Sequence, residues 1–327
     1  MSFLDCEDLL PLEKPDAARY HLPVMADGVA AMLRPAPGML FLDGTVGGGG
    51  HSERILEAGA EVIGIDRDAD ALKEAGARLA RFGERVRLVA ADFRDAADAL
   101  RSLGEIRPLS GAILDIGVSS HQLDSAERGF ALMKDGPLDM RMDRSAPRTA
   151  ADLVNLMDEA GLAGIFREFG EEPRAARIAA RIVALREENP FETTFDLAAA
   201  VSSVAPRTGA RHPATRVFQA LRIAVNDELG ALRDALDRIP PLLAPGGRLA
   251  VITFHSLEDR IVKTVFRERS QEWIDRPEWP APRRNPDRIF RLLTPHPMDA
   301  GAGEVAVNPR ARSAKLRVAE KLQENTP

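Results

Sequence analysis

The sequence predicts an α/β protein built on a doubly wound, mainly parallel sheet. Three observations predict it. Short apolar runs at 40–42, 60–65, 86–91 and 111–114 alternate with stretches of helical periodicity, the rhythm of strand, crossover helix and strand. The first run ends in a glycine turn, Asp43-Gly44-Thr45-Val46-Gly47-Gly48-Gly49-Gly50-His51-Ser52, with five glycines in the seven positions from 44 to 50. The later runs each end in an aspartate: Asp66, Asp92 followed by Phe93, and Asp115.

A turn without β-carbons lets backbone N–H groups approach a ligand, and a helix opening at Ser52 would point its positive end at it. The dinucleotide fingerprint G-x-G-x-x-G does not fit. Begun at Gly47 it meets Ser52 where the third glycine belongs, and begun at Gly48 it meets Glu53. Asp66 offers a carboxylate to a ribose diol, Asp92 an acceptor to an exocyclic amine, and Phe93 a ring to flank an adenine. This series fits an adenosine ligand that lacks a pyrophosphate, and S-adenosylmethionine is the usual one. The bland alternative is a Rossmann-like domain whose aspartates are merely solvated.

In chain order, residues 1–20 mix acids with Pro11 and Pro15 and read as a loosely held arm. The first part of the sheet domain occupies 21–123, with a helix over 27–33 ended by Pro35 and Pro37 and a crossover helix over 69–82. Past Asp115 the text is irregular as far as Asp143. Helical periods then run over 152–160, 162–169, 173–188 and 194–204 with no strand signature between them, so 124–211 is expected to be an inserted helical domain. The sheet domain resumes over 212–327. It brings a helix from Pro213, more helix over 228–239, a strand over 246–254, a turn at 255–259 and a helix to Arg269. A Pro/Arg-rich surface loop over 276–288 follows. Strands over 289–293 and 314–319 close the sheet as an antiparallel edge.

The chain has 327 residues, 45% of them hydrophobic, enough for one large domain or one and a half. Its 44 basic and 50 acidic residues give a formal charge of −6, which argues against coating nucleic acid through global charge but allows a local patch. The lone Cys6 excludes an internal disulfide and a thiolate zinc site, and suits a reducing cytoplasm. No histidine spacing suggests another metal. No run approaches the ~20 apolar residues of a membrane span, so no membrane partner and a cytoplasmic location are expected. Oligomeric state is open.

A second substrate should enter at the carboxyl edge of the sheet, which would group Asp115, Ser119, Gln122, His255 and Ser256 around one cavity. An amine attacking a sulfonium methyl needs alignment and an acceptor for its N–H, with little need of a strong base. Asp115 suits that role, or that of holding the cofactor. Methylation at pyrimidine carbon 5 is disfavoured, because it needs a thiolate and Cys6 lies in the arm. His255 reads as a base or as strand-end scaffolding, and His51 as a cofactor contact. Two windows lack acids: 197–226, with Arg207, Arg211, Arg216 and Arg222, and 305–319, with Arg310, Arg312, Lys315 and Arg317. If they converge on the cavity, they form a phosphate track. Aromatic content of 5% does not indicate extensive base stacking.

Several blocks carry a more specific signal: His21-x-Pro23-Val24-Met25, the glycine turn through Ser52, Gly64-Ile65-Asp66-Arg67-Asp68, and Asp115-x-Gly117-Val118-Ser119-Ser120-x-Gln122-Leu123-Asp124. Arg128-Gly129-Phe130 and Asp135-Gly136-Pro137-Leu138-Asp139-Met140-Arg141-Met142-Asp143 follow. Later come His212-Pro213-Ala214-Thr215-Arg216, Phe254-His255-Ser256-Leu257-Glu258-Asp259-Arg260 and Asn308-Pro309-Arg310-Ala311-Arg312-Ser313. In these blocks the chain resembles the MraW family of bacterial 16S ribosomal RNA cytosine-N4 methyltransferases. The resemblance implies a class I S-adenosylmethionine-dependent methyltransferase fold, Rossmann-like, with an inserted helical domain for RNA. It implies rRNA methylation at the N4 amine of a cytidine, cytidine 1402, in the decoding region of the small ribosomal subunit. Cofactor contacts are then expected at Gly48, Gly49, Gly50, His51, Asp66, Phe93, Asp115 and Gln122, with Asp115 also catalytic. RNA contacts are expected at Arg216, His255, Ser256, Asn308, Arg310 and Arg312. Val46 departs from the family, where an aromatic is common, and the amino-terminal arm is longer. A DNA amino-methyltransferase would carry Asp-Pro-Pro-Tyr or Ser-Pro-Pro-Tyr after the fourth strand, where this chain has Asp115-Ile116-Gly117-Val118.

Overall fold

The computed structural model describes residues 23–205 and 212–323. The expected arm, Cys6, His21, Arg207 and Arg211 lie outside the described residues. Five strands, β1 (Leu40–Asp43), β2 (Glu61–Asp66), β3 (Val86–Ala90), β4 (Leu109–Asp115) and β5 (Leu243–Thr253), pair in parallel in the order β3-β2-β1-β4-β5. A separate ribbon pairs β6 (Trp273–Ile274) with β7 (Arg283–Arg284), and β7 falls in the 276–288 segment expected to be loop. Then come β8 (Phe290–Leu292), β9 (Met298–Asp299) and β10 (Lys315–Lys321). β10 runs antiparallel to β5 and carries β8 and β9, both antiparallel, on its outer side, which is the expected edge.

Side chains alternate across each strand, and here both faces are covered. Leu40, Leu42, Ala112 and Leu114 face one core, while Phe41 and Ile113 face the other. That is why these strands read as unbroken apolar runs. Helices α1 (Ala26–Leu33), α2 (Gly50–Glu57) and α3 (Ala69–Leu79) cover the Phe41 side. α4 (Ala96–Ser102) lies on the other face. After β4, a short α5 (Ser120–Asp124) leads into the insertion, with α6 (Ala150–Leu156), α7 (Glu159–Glu168), α8 (Ala175–Arg186) and α9 (Thr194–Val204). Reciprocal capping boxes, Thr149 with Asp152 and Thr193 with Asp196, start α6 and α9. α10 (Thr215–Asn226) buries Val217, Phe218, Ala220 and Leu221 in the core of the insertion. α10, which lies beyond the expected boundary at 211, thus shares a core with the helices of 150–204. α11 (Glu228–Arg238) and α12 (Ser256–Glu268) return to the sheet, and α13 (Ala302–Val307) precedes β10.

One buried ion pair ties the insertion to the sheet. Arg128, 3% exposed, donates Nη1 to Asp68 Oδ2 at 2.8 Å and Nη2 to the carbonyls of Arg141 (3.0 Å) and Met142 (2.9 Å). Gln122 Nε2 donates to the same Asp68 oxygen at 2.8 Å, and Asp68 Oδ1 caps α3 through the Asp70 amide. Removing one partner of such a pair strands a buried charge. Arg128→Met is expected to lower unfolding free energy by about 3–5 kcal/mol in urea titration. A loss below about 1 kcal/mol, typical of exposed pairs, would contradict this account of the junction.

Candidate active site

β1 and β4 send their connections to opposite sides, so a crevice opens at their carboxyl ends. A cavity of about 360 Å³ lies there. Its floor is the turn after β1. Asp43, 1% exposed, accepts the Ser52 hydroxyl at 2.7 Å and the Thr45 amide at 3.2 Å, which fastens the strand end to the first turn of α2. Burial raises the Asp43 pKa, although His51 and the Ser52 hydroxyl pull it down. Thr45 Oγ1 accepts the Asp115 amide at 2.7 Å and so bridges the crevice from β1 to β4. The helix α2 opens at Gly50, two residues before the expected Ser52. Gly44 is required for space, because a Cβ there would stand 2.6 Å from Leu114 Cδ2 and 3.1 Å from Phe93 Cβ.

Asp66 ends β2 at the cavity wall. Its Oδ2 accepts the Gly47 amide and its Oδ1 the Asp68 amide, each at 2.9 Å, which leaves a further lone pair on each oxygen. Burial nevertheless pushes its pKa up to about 6. Phe93 shares this wall, but Asp92 does not. The Asp92 carboxylate accepts the Arg94 amide at 3.1 Å and faces Arg67 at 3.3 Å, so the expected acceptor for an exocyclic amine is already engaged.

Across the floor, His51 Nε2 stands 3.4 Å from Asp115 Oδ2. His51 Nε2 and Asp115 Oδ1 are buried and have no hydrogen-bond partner among the described residues. Burial by itself would lower the His51 pKa. Asp115, followed by Asp43 and Glu304, outweighs burial and raises it. Buried polar atoms are nearly always satisfied, so two open ones at one cavity wall mark a place shaped for a polar ligand.

Gly48, Gly50, His51, Asp66, Phe93, Asp115 and Gln122 all border the cavity. Gln122 spends its side chain on the wall itself, with Oε1 on the Ser119 amide and Nε2 on Asp68. Gly49 does not border the cavity. A Cβ there would meet Leu79 at 3.1 Å, so its backbone, at φ 81°, serves the packing of α2 on α3. Of the expected RNA contacts only Arg310 borders the cavity, 3.5 Å from the Asp124 carboxylate. His255 caps α12 and faces the buried Glu258 at 3.0 Å. Ser256 donates to the Glu171 carboxylate and Arg216 to the Glu171 carbonyl. Asn308 caps the turn at 309–313, and Arg312 is exposed away from the cavity wall. Capping residues at strand and helix ends share the local pattern of catalytic ones, and only the fold separates them.

The cavity also has a wall that sequence reasoning passed over. Arg222 Nε and Nη2 hold Glu228 Oε1 and Oε2 at 2.8 and 2.9 Å, and both residues border the cavity beside Phe254 and Met142. The pair crosses from α10 to α11, and a window scored only for its own acids hides it. One consequence of this geometry is testable. Gly44→Ala is expected to cost about 1–3 kcal/mol by overpacking Leu114 and Phe93. Thermal unfolding of the ligand-free variant checks it, and a transition unchanged from the parent would contradict it.

The chain matches the MraW methylase family over residues 18–322. It is 53% identical to the "Ribosomal RNA small subunit methyltransferase H" of Anaeromyxobacter sp. (strain K) over 307 residues, which cover 93% of this chain and 98% of that protein. The protein of the same name from Syntrophotalea carbinolica is 53% identical over 308 residues, covering 92% and 98%. Among solved structures, an rRNA methylase from Streptococcus thermophilus superposes with a TM-score of 0.42 at 13% identity, covering 91% of this chain and 94% of that one. With a family match across nearly the whole sequence and relatives above half identity, the chain belongs to the MraW methylase family and is a methyltransferase.

Proposed function

We propose that this chain methylates the N4 amine of a cytidine, cytidine 1402 of 16S rRNA, in the decoding region of the small ribosomal subunit, with S-adenosylmethionine as methyl donor. The observation that carries this reading is the His51–Asp115 pair, 3.4 Å apart, whose buried Nε2 and Oδ1 make no hydrogen bond to a described residue, set at a glycine-floored crevice of the sheet. The residues present fit the donor. Asp66 keeps lone pairs for the ribose hydroxyls, Phe93 offers a ring to the adenine, and the turn at 47–50 lets backbone approach. When bound, S-adenosylmethionine supplies an electrophilic methyl group on a sulfonium, so the acceptor amine needs alignment and a hydrogen-bond acceptor rather than a covalent enzyme intermediate. Asp115 serves as that acceptor or holds the amino end of the donor, with His51 Nε2 3.4 Å from its Oδ2. Arg222 and Glu228 neutralise one another, so that wall holds an uncharged base without stranding a charge.

Ribosomal RNA as substrate is supported by the names of the relatives and by Arg310 at the cavity. Among the described residues no helix is long and apolar enough to cross a membrane. The reading places the protein in the cytoplasm with the ribosomes.

Small subunits from cells that lack this protein, incubated with the purified protein and labelled S-adenosylmethionine, are expected to yield N4-methylcytidine on nucleoside analysis. Asp115→Ala is expected to slow the transfer by about 10²-fold or more. Label on another nucleoside, or none, would reject the reading. The Asp66 carboxyl gives a pH test. Free protein is increasingly protonated there below about pH 6, and ribose hydroxyls that donate to it favour the ionised form. Affinity for S-adenosylhomocysteine, measured by equilibrium dialysis, should therefore fall as the pH drops through that value. An affinity that is flat from pH 7.5 to 5 would remove Asp66 from the ribose.

A further inference from the structure

We infer that the β6–β7 ribbon is an RNA-docking surface separate from the methyl-transfer cavity, one that takes phosphates of the ribosomal RNA on arginines held over tryptophan rings. The sequence has two tryptophans, and both lie here, outside every core. Trp273 is 53% exposed. The Arg284 guanidinium lies over its ring at 5.8 Å, and those of Arg276 and Arg283 lie over Trp279 at 5.0 and 4.7 Å. None of these three guanidiniums donates a hydrogen bond to a described residue or pairs with a described acid. Elsewhere Arg94, Arg107, Arg128, Arg141, Arg222 and Arg317 are each tied to a carboxylate. A guanidinium held over an indole face keeps its N–H edge free for a phosphate oxygen, and an exposed indole can take a base.

Beside the ribbon lies a hollow of about 290 Å³, bordered by Arg284, Arg288 and Lys321 and by one acid, Glu272. Lys321 Nζ rests on the carbonyls of Leu243 (2.7 Å) and Pro241, which leaves its charge unneutralised. Glu272, Asp275, Glu278 and Asp287 lie in the same stretch and Arg288 pairs with Glu272, so the surface is set apart by its chemistry rather than by net charge: its two indoles carry guanidiniums without a carboxylate partner, and a ligand that offers phosphates and bases together matches that pairing better than an acidic protein does. The place also fits a large RNA. α12 starts beside the cavity residue Phe254 and runs 13 residues, about 20 Å, toward the ribbon, while Lys321 meets the first residue of β5 at the opposite edge of the sheet. The inference rests on ribosomal RNA being the substrate.

Tryptophan fluorescence of the intact protein reports this surface alone, because both indoles belong to it. Titration with 16S rRNA should change the emission saturably, and added salt should weaken the effect, whereas S-adenosylhomocysteine should leave it unchanged. The triple variant Arg276→Ala/Arg283→Ala/Arg284→Ala should bind 16S rRNA at least tenfold more weakly on filters, with unchanged affinity for S-adenosylhomocysteine, and the triple lysine variant should regain part of the loss. Emission that does not move at RNA concentrations that saturate filter binding would overturn the inference. So would an equal change with polyglutamate at the same charge concentration, which would assign the surface to an acidic protein. A failed reading of the substrate shows separately, as absent N4-methylcytidine.

Discussion

The carboxylate of Asp68 gathers Arg128, Gln122 and the Asp70 amide in the protein interior, and the walls of the cavity depend on that meeting. Asp68 follows the end of β2 by two residues. Its amide holds Asp66, its Oδ1 starts α3, and its Oδ2 receives one donor from α5 and one from the start of the insertion. Arg128 then reaches the carbonyls at 141 and 142, next to the Met142 amide, which donates to Asn226 Oδ1. Burying this charge is tolerable only because every donor arrives at 2.8–3.1 Å, and the same requirement fixes where the helical insertion can sit. The second link, from Thr45 to the Asp115 amide, sets the width of the crevice.

Much of the fold was legible because strands buried on both faces and long amphipathic helices leave strong periodic patterns. The glycine turn, Asp66, Phe93 and Asp115 were legible because the end of a parallel strand has few places to point. Roles that depend on which partner a side chain meets in the fold were not. His255 and Asn308 are caps, a use that the sequence does not distinguish from chemistry. The two acid-free windows suggested a phosphate track, yet Arg222 finds Glu228 and Arg317 finds Asp259, each partner lying outside its window. α10 lies past the expected boundary at 211, and its apolar face packs in the core of the helices before it although the sheet resumes soon after it. The ribbon strands β6 and β7 have two residues each, too short to leave a periodic pattern, so 276–288, which holds β7, reads as loop.

The central claim is that the crevice between β1 and β4 holds the methyl donor. Titration calorimetry of the purified protein with S-adenosylhomocysteine tests it most directly. The account predicts saturable binding of one molecule per chain that is displaced by S-adenosylmethionine. No heat of binding at several temperatures, with the protein folded throughout, would contradict it.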